Sequence, residues 1–103
     1  MLSGTPNNRA LLVDPSYAEA YNNLGTAHAE LGHVKEATRN LERAINLKPS
    51  LAVARYNLGV VSLRANERQT ALQQYRLLTS LNAQLADKLY SGIYQDRVLS
   101  LAK

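Results

Sequence analysis

YNNLGTAHAELGHVKEATRNLERAINLKP, residues 21–49, carries two apolar series separated by one glycine. Ala20, Leu24, Ala27 and Leu31 precede Gly32, and Val34, Ala37, Leu41, Ala44 and Ile45 follow it. Steps of three and four place each series on one face of a helix. Gly32 reaches positive φ without a side-chain clash, which suits the residue just past a helix end. Pro49 lacks the amide proton a helix needs and stops the second series. The stretch predicts a helical hairpin in which Leu24 meets Leu41.

The hairpin recurs. A shift of 34 residues lays Ala18, Asn23, Leu24, Gly25, Ala37 and Leu47 on Ala52, Asn57, Leu58, Gly59, Ala71 and Leu81. The reverse shift lays Ala44, Pro49 and Ser50 on Ala10, Pro15 and Ser16. A fixed period of this size marks a stack of helical repeats. Tyr21-x2-Leu24-Gly25-x2-His28, then Ala37-x3-Leu41, Ala44 and Pro49, resembles the tetratricopeptide repeat, whose pattern is W-x2-L-G-x2-Y, A-x3-F and P. The second copy keeps Leu58-Gly59 and Ala71-x3-Tyr75. It departs at Arg55 and Ser62, where the family carries aromatics, and at Ala83, where it carries proline. The resemblance runs from Ala18 to Leu85. It implies an all-α superhelix of helical hairpins closed by a C-terminal capping helix. The expected organisation is one domain over 1–103: a partial repeat over 1–17, repeats over 18–51 and 52–85, and a final helix within 86–103.

Local signals place the helices. Thr5-Pro6 opens a short helix to about Val13. Ser16 and Glu19 have capping-box spacing and open a helix to about Leu31. A second runs from Lys35 to Leu47. Ser50 caps a third, to Ala65. Asn66 stands where the first repeat has Gly32, and with Gln69 it repeats the capping spacing before a helix over Glu67–Leu81. The last helix is expected over Leu85–Leu101, with Gly92 inside it.

Composition removes whole classes of chemistry. Cysteine is absent, which excludes disulfides and thiolate sites. The net charge of +4 comes from Lys and Arg dispersed over every segment, the pattern of solvated helix faces and not of a nucleic-acid stripe. No signal-peptide core or membrane-length apolar run is visible, so the expectation is a cytoplasmic protein. His28 and His33 lie five apart across a helix end, not at the i, i+4 spacing that holds a metal on one helix. His28 also falls on a packing aromatic of the repeat pattern. No nucleophile–base–orienter set assembles, so no enzyme, cofactor or metal is expected. Gly25 and Gly59 sit mid-helix, where glycine costs about 1 kcal/mol relative to alanine; close helix approach is the reason to accept that cost.

The resemblance implies a protein–protein interaction module, a scaffold whose first helices line a concave groove for a peptide or helix. Its groove positions fall on Asn22, Asn23 and Thr26, flanked by Glu19 and Glu30, and on Val53, Tyr56, Asn57, Val60, Leu63 and Arg64. Asn23 and Asn57 occupy the place whose side-chain amide bonds a bound peptide's backbone. A carboxylate clamp is not expected, because Asn22, Thr26, Asp87 and Ser91 are not the residues it needs. Val53, Tyr56, Val60 and Leu63 form an apolar stripe beyond what the hairpin needs for packing. The final helix adds Leu89, Ile93, Tyr94 and Val98. Together they motivate the alternative of a homodimer, with these last four residues as its interface and the groove buried by another copy.

Overall fold

The structure is a computed structural model that describes residues 15–95 and 97–102. Its helices are α1 (Pro15–Glu30), α2 (Val34–Leu47), α3 (Ala52–Arg64), α4 (Arg68–Leu81) and α5 (Ala83–Tyr94). α1 pairs with α2, and α3 with α4. α2 stacks on α3 and α4 on α5, while α1 touches α3 and α3 touches α5 along one side. This is the all-α helical superhelix that the 34-residue period predicts. The helix expected over Thr5–Val13 lies outside the described residues.

Both hairpin turns use a left-handed residue at the same place in the period. Gly32 has φ 81° and Asn66 has φ 62°. Each turn closes with an equivalent backbone bond, His33 N–H to the His28 carbonyl at 2.8 Å and Glu67 N–H to the Ser62 carbonyl at 2.7 Å. The caps differ from expectation. Ser16 lies inside α1, which begins at Pro15. Leu51, not Ser50, is the N-cap of α3, and it makes no side-chain cap bond. Glu67 precedes α4 equally uncapped, because Asn66 is committed to the turn. Asn82 does cap α5, its Oδ1 accepting from Leu85 N–H at 3.1 Å.

Packing passes from one pair to the next, as in a solenoid. Leu41 and Ala37 of α2 meet Leu58 and Val61 of α3. Leu78 and Ala71 of α4 meet Leu89 and Ile93 of α5, with Tyr56 and Val60. Leu24 is 49% exposed, whereas its equivalent Leu58 is 4% exposed. The reason is stacking order: Leu58 faces the preceding hairpin, and Leu24 has no described hairpin before it. Leu41 packs over Gly25, where a Cβ would stand 2.7 Å from its Cγ.

α5 ends at Tyr94, seven residues before the expected Leu101. In a continuing helix the Ile93 carbonyl would accept from the Arg97 amide. The Arg68 guanidinium takes that carbonyl at 2.6 Å, and Arg97 N–H turns back to the Ser91 carbonyl at 3.3 Å. Arg68 also lies over the Tyr94 ring, 5.0 Å from its centroid. A cation on the last carbonyls suits the negative end of the helix dipole. Beyond this point residues 97–102 leave helical structure and fold back along α3.

Candidate functional site

The groove is built on α1, α3 and α5, and its two halves differ. On α1, residues 19, 22, 23, 26, 27 and 30 recur at helical spacing and so share one face. With Leu51 and Val53 they border a cleft of about 660 Å³. Its walls mix polar side chains with Ala27, Leu51 and Val53, and Glu19 and Glu30 lie eleven residues apart, roughly 16 Å along the axis at 1.5 Å per residue. Asn23 is exposed, while Asn22 and Thr26 are buried. The Thr26 hydroxyl donates to the Asn23 carbonyl at 2.8 Å, which fixes its rotamer.

On α3 the same face is covered. Tyr56, Asn57 and Val60 are buried, Val53 and Leu63 half-buried, and Arg64 exposed. The cover is α5 together with the returning segment 97–102. Its burial alternates: Val98 and Ser100 point outward, Leu99 and Leu101 inward, which is the period of an extended chain. Leu99, Leu101 and Ala102 pack on the cluster of Tyr56, Val60, Leu89 and Ile93.

The segment is held mainly by its backbone. Arg64 donates to the Leu99 carbonyl at 3.1 Å, and the Tyr56 hydroxyl to the Ser100 carbonyl at 2.9 Å. The Asn57 amide works in both directions. Its Nδ2 donates to the Ala102 carbonyl at 2.6 Å, and its Oδ1 accepts from Ala102 N–H at 2.7 Å. The second Nδ2 proton goes to Asn22 Oδ1 at 2.9 Å, which ties α3 to α1. A carboxamide has the two donors and the acceptor that this set requires, and a carboxylate or a leucine does not. Burial pushes the Tyr56 hydroxyl above its ordinary pKa, against a smaller opposing effect of Arg64, so it remains a donor through neutral pH.

The expectation of surplus apolar surface is corrected here. Leu89 and Ile93, taken as dimer-interface residues, are buried within the chain. They pack on Tyr56 and Val60, so the middle of each apolar stripe is covered within one chain. The apolar spacing of Leu85–Leu101 suits a continuous helix, which would leave no extended segment to enter the groove. The alternation Val98-Leu99-Ser100-Leu101 was the available signal. Tyr94 and Val98 remain 51% and 98% exposed.

The histidines form a local pair. His28 Nδ1 and His33 Nδ1 share a hydrogen bond at 3.3 Å across the first turn. Among the described residues no cluster of three or more His, Cys, Asp or Glu side chains could hold a metal. Among them, too, no helix is long and apolar enough to cross a membrane.

A tetratricopeptide-repeat profile matches residues 18–51. The chain is 36% identical over 62 residues to the heat shock protein STI1 of Saccharomyces cerevisiae, covering 60% of this chain and 10% of that protein. It is 38% identical over 73 residues to a peroxisomal targeting signal receptor of Candida glabrata, covering 71% of this chain and 12% of the receptor. To a protein O-mannosyl-transferase of Caenorhabditis elegans it is 49% identical over 75 residues, covering 73% of this chain and 11% of the transferase. The matched stretch is thus about a tenth of the length of these relatives.

Proposed function

Because the chain belongs to the tetratricopeptide-repeat family, we propose that it takes an extended peptide segment of a partner protein in the groove of α1, α3 and α5. The coarse statement, a protein–protein interaction module, is what the family and its relatives support. No chemical step accompanies binding. The transferase likeness covers 11% of that relative and carries no reaction with it.

One observation carries the finer reading. Asn57 presents a buried carboxamide that engages a main-chain N–H and a main-chain carbonyl of the same residue, at 2.7 and 2.6 Å. Such a pair reads any extended backbone, whatever its side chains. Arg64 and Tyr56 donate to further carbonyls along the same line. Asn57 also bonds Asn22, which borders the open cleft on α1 together with Asn23 and Thr26.

A displayed library of random linear peptides tests it. The wild-type chain should enrich peptides whose capture is lost in Asn57→Ala while helicity is kept. Equal enrichment by both chains would place binding outside the groove. The homodimer retains the exposed Tyr94 and Val98 in its support, and its former interface residues Leu89 and Ile93 are internal. Light scattering of the wild type beside Val98→Glu decides it: a monomer at high micromolar concentration removes the dimer.

A further inference from the structure

We infer that segment 97–102 is an internal stand-in for the ligand, so that the groove is self-occupied and a partner binds by displacing it. This rests on the peptide-groove reading above and specifies its ligand: an extended chain with apolar residues at the Leu99 and Leu101 positions and a small residue at the Ala102 position.

Two observations support it. First, the attachment is of the kind a groove offers to any chain. Leu99, Ser100 and Ala102 are all gripped through main-chain atoms. A competing chain can reproduce each of these bonds, so exchange leaves no buried polar group unpaired. Second, the side chains that enter are few and half-buried: Leu99, Leu101 and Ala102, with Val98 and Ser100 outside. Leu99 lies over Gly92, where even a Cβ would collide with it. That absence of a side chain on α5 creates the slot, and a ligand leucine fits it equally.

The test uses the 103-residue chain and a fluorescent, end-capped peptide of Arg97–Ala102. Two variants release the segment by independent means. Ala102→Pro removes the N–H that Asn57 accepts. Leu99→Asp takes the segment's own leucine out of the slot over Gly92 and leaves that slot free for the peptide. Circular dichroism checks that each keeps its helices. Both should bind the peptide at least about tenfold more tightly than the wild type, since apparent affinity scales with the fraction of open groove. Adding Asn57→Ala to either should abolish the gain. Equal affinity for wild type and released chains would overturn self-occupancy while leaving the peptide groove standing. If neither released chain binds this peptide, but Leu99→Asp still enriches other peptides from the random library, the segment is no ligand mimic. If they bind and enrich nothing, the groove reading fails with it.

Discussion

Along α1 the groove face is open, with Asn22, Asn23 and Thr26 bordering a cleft between Glu19 and Glu30. Along α3 the equivalent face carries Tyr56, Asn57 and Val60, and it is filled by α5 and residues 97–102. The two halves descend from one repeat pattern, and a handful of substitutions separates them. Position 21 of the first repeat is Tyr, its equivalent 55 is Arg, and the next equivalent, 89, is Leu. Arg55 stays at the rim, donating to the Pro49 carbonyl at 2.9 Å and to Gln74 Oε1 at 3.2 Å. Leu89 drops inward onto Gly59, where a Cβ would stand 2.6 Å from its Cδ2. At the first interface, Leu41 of the same hairpin takes the corresponding place over Gly25. Tyr75, the equivalent of Leu41, is left at the edge, its ring centroid 5.7 Å from that of Tyr90. The difference teaches how a repeat tolerates variation: one glycine notch is conserved in space while the side chain that fills it changes owner.

The sharpest way to break the comparison is to empty each notch. Leu89→Ala should cost about 2–5 kcal/mol, because Leu89 is fully buried at the junction of α3, α4 and α5. Leu41→Ala lies in the same range, and the ratio of the two losses in denaturant melts ranks the interfaces. A loss below 1 kcal/mol at Leu89 would mean that α5 contributes little to the stack.

Filling the notches is the milder experiment. Gly25→Leu and Gly59→Leu should each overpack the stack by roughly 1–3 kcal/mol. Leu41 belongs to the hairpin of Gly25 itself, whereas Leu89 comes from the next helix. Gly59→Leu should therefore raise hydrogen exchange in α5 selectively, and Gly25→Leu in α1 and α2 together. Uniform changes in both variants would show that the hairpins open as one unit.

The fold was legible because its signals are local or periodic. Gly32 and Asn66 mark the turns, and the 34-residue offset locates the pairs. Helical spacing puts Asn22, Asn23 and Thr26 on one face of α1, and it is the family resemblance, not the spacing, that marks this face as a groove. The end of α5 was not legible. Nothing near Tyr94 in the chain stops a helix strongly; the stop is Arg68, which reaches the Ile93 carbonyl from 25 residues away. The burial of Tyr56 and Val60 followed from that same unseen return. The exposure of Leu24 was equally hidden, because periodicity gives a face but not the neighbour that covers it.

Asn57 and Asn22 sharpen the contrast between the filled and open halves. Asn57→Ala removes the bonds to Ala102 and Asn22, and strands the Ala102 amide groups in a half-dry site. A loss of about 1–3 kcal/mol is expected, with faster exchange at the Ala102 amide. Asn22→Ala removes only the bond to Asn57 and should cost about 1 kcal/mol. Equal losses would mean that the α1–α3 tie, and not the grip on the segment, is what Asn57 supplies.

The smallest expected effect concerns the turns, where the two hairpins differ by one residue type in one conformation. Gly32 at φ 81° is free of the left-handed penalty, and Asn66 at φ 62° bears part of it. Nothing stands within 4 Å of a Cβ placed on Gly32, so the space there is open and only backbone preference is tested. Asn66→Gly relieves the penalty but raises the entropy lost on folding, and the two partly cancel. A gain of roughly 0.5 kcal/mol or less is expected for Asn66→Gly, and a similar loss for Gly32→Asn, since Asn is the most tolerant of the other residues. The reciprocal pair of substitutions should then leave the denaturation midpoint near that of the wild type. Gly32→Val is the control: a β-branched residue at that φ should cost at least about 1 kcal/mol. If Gly32→Asn proves as damaging as Gly32→Val, the side chain meets something in the turn that backbone preference does not describe, and the equivalence of the two turns fails.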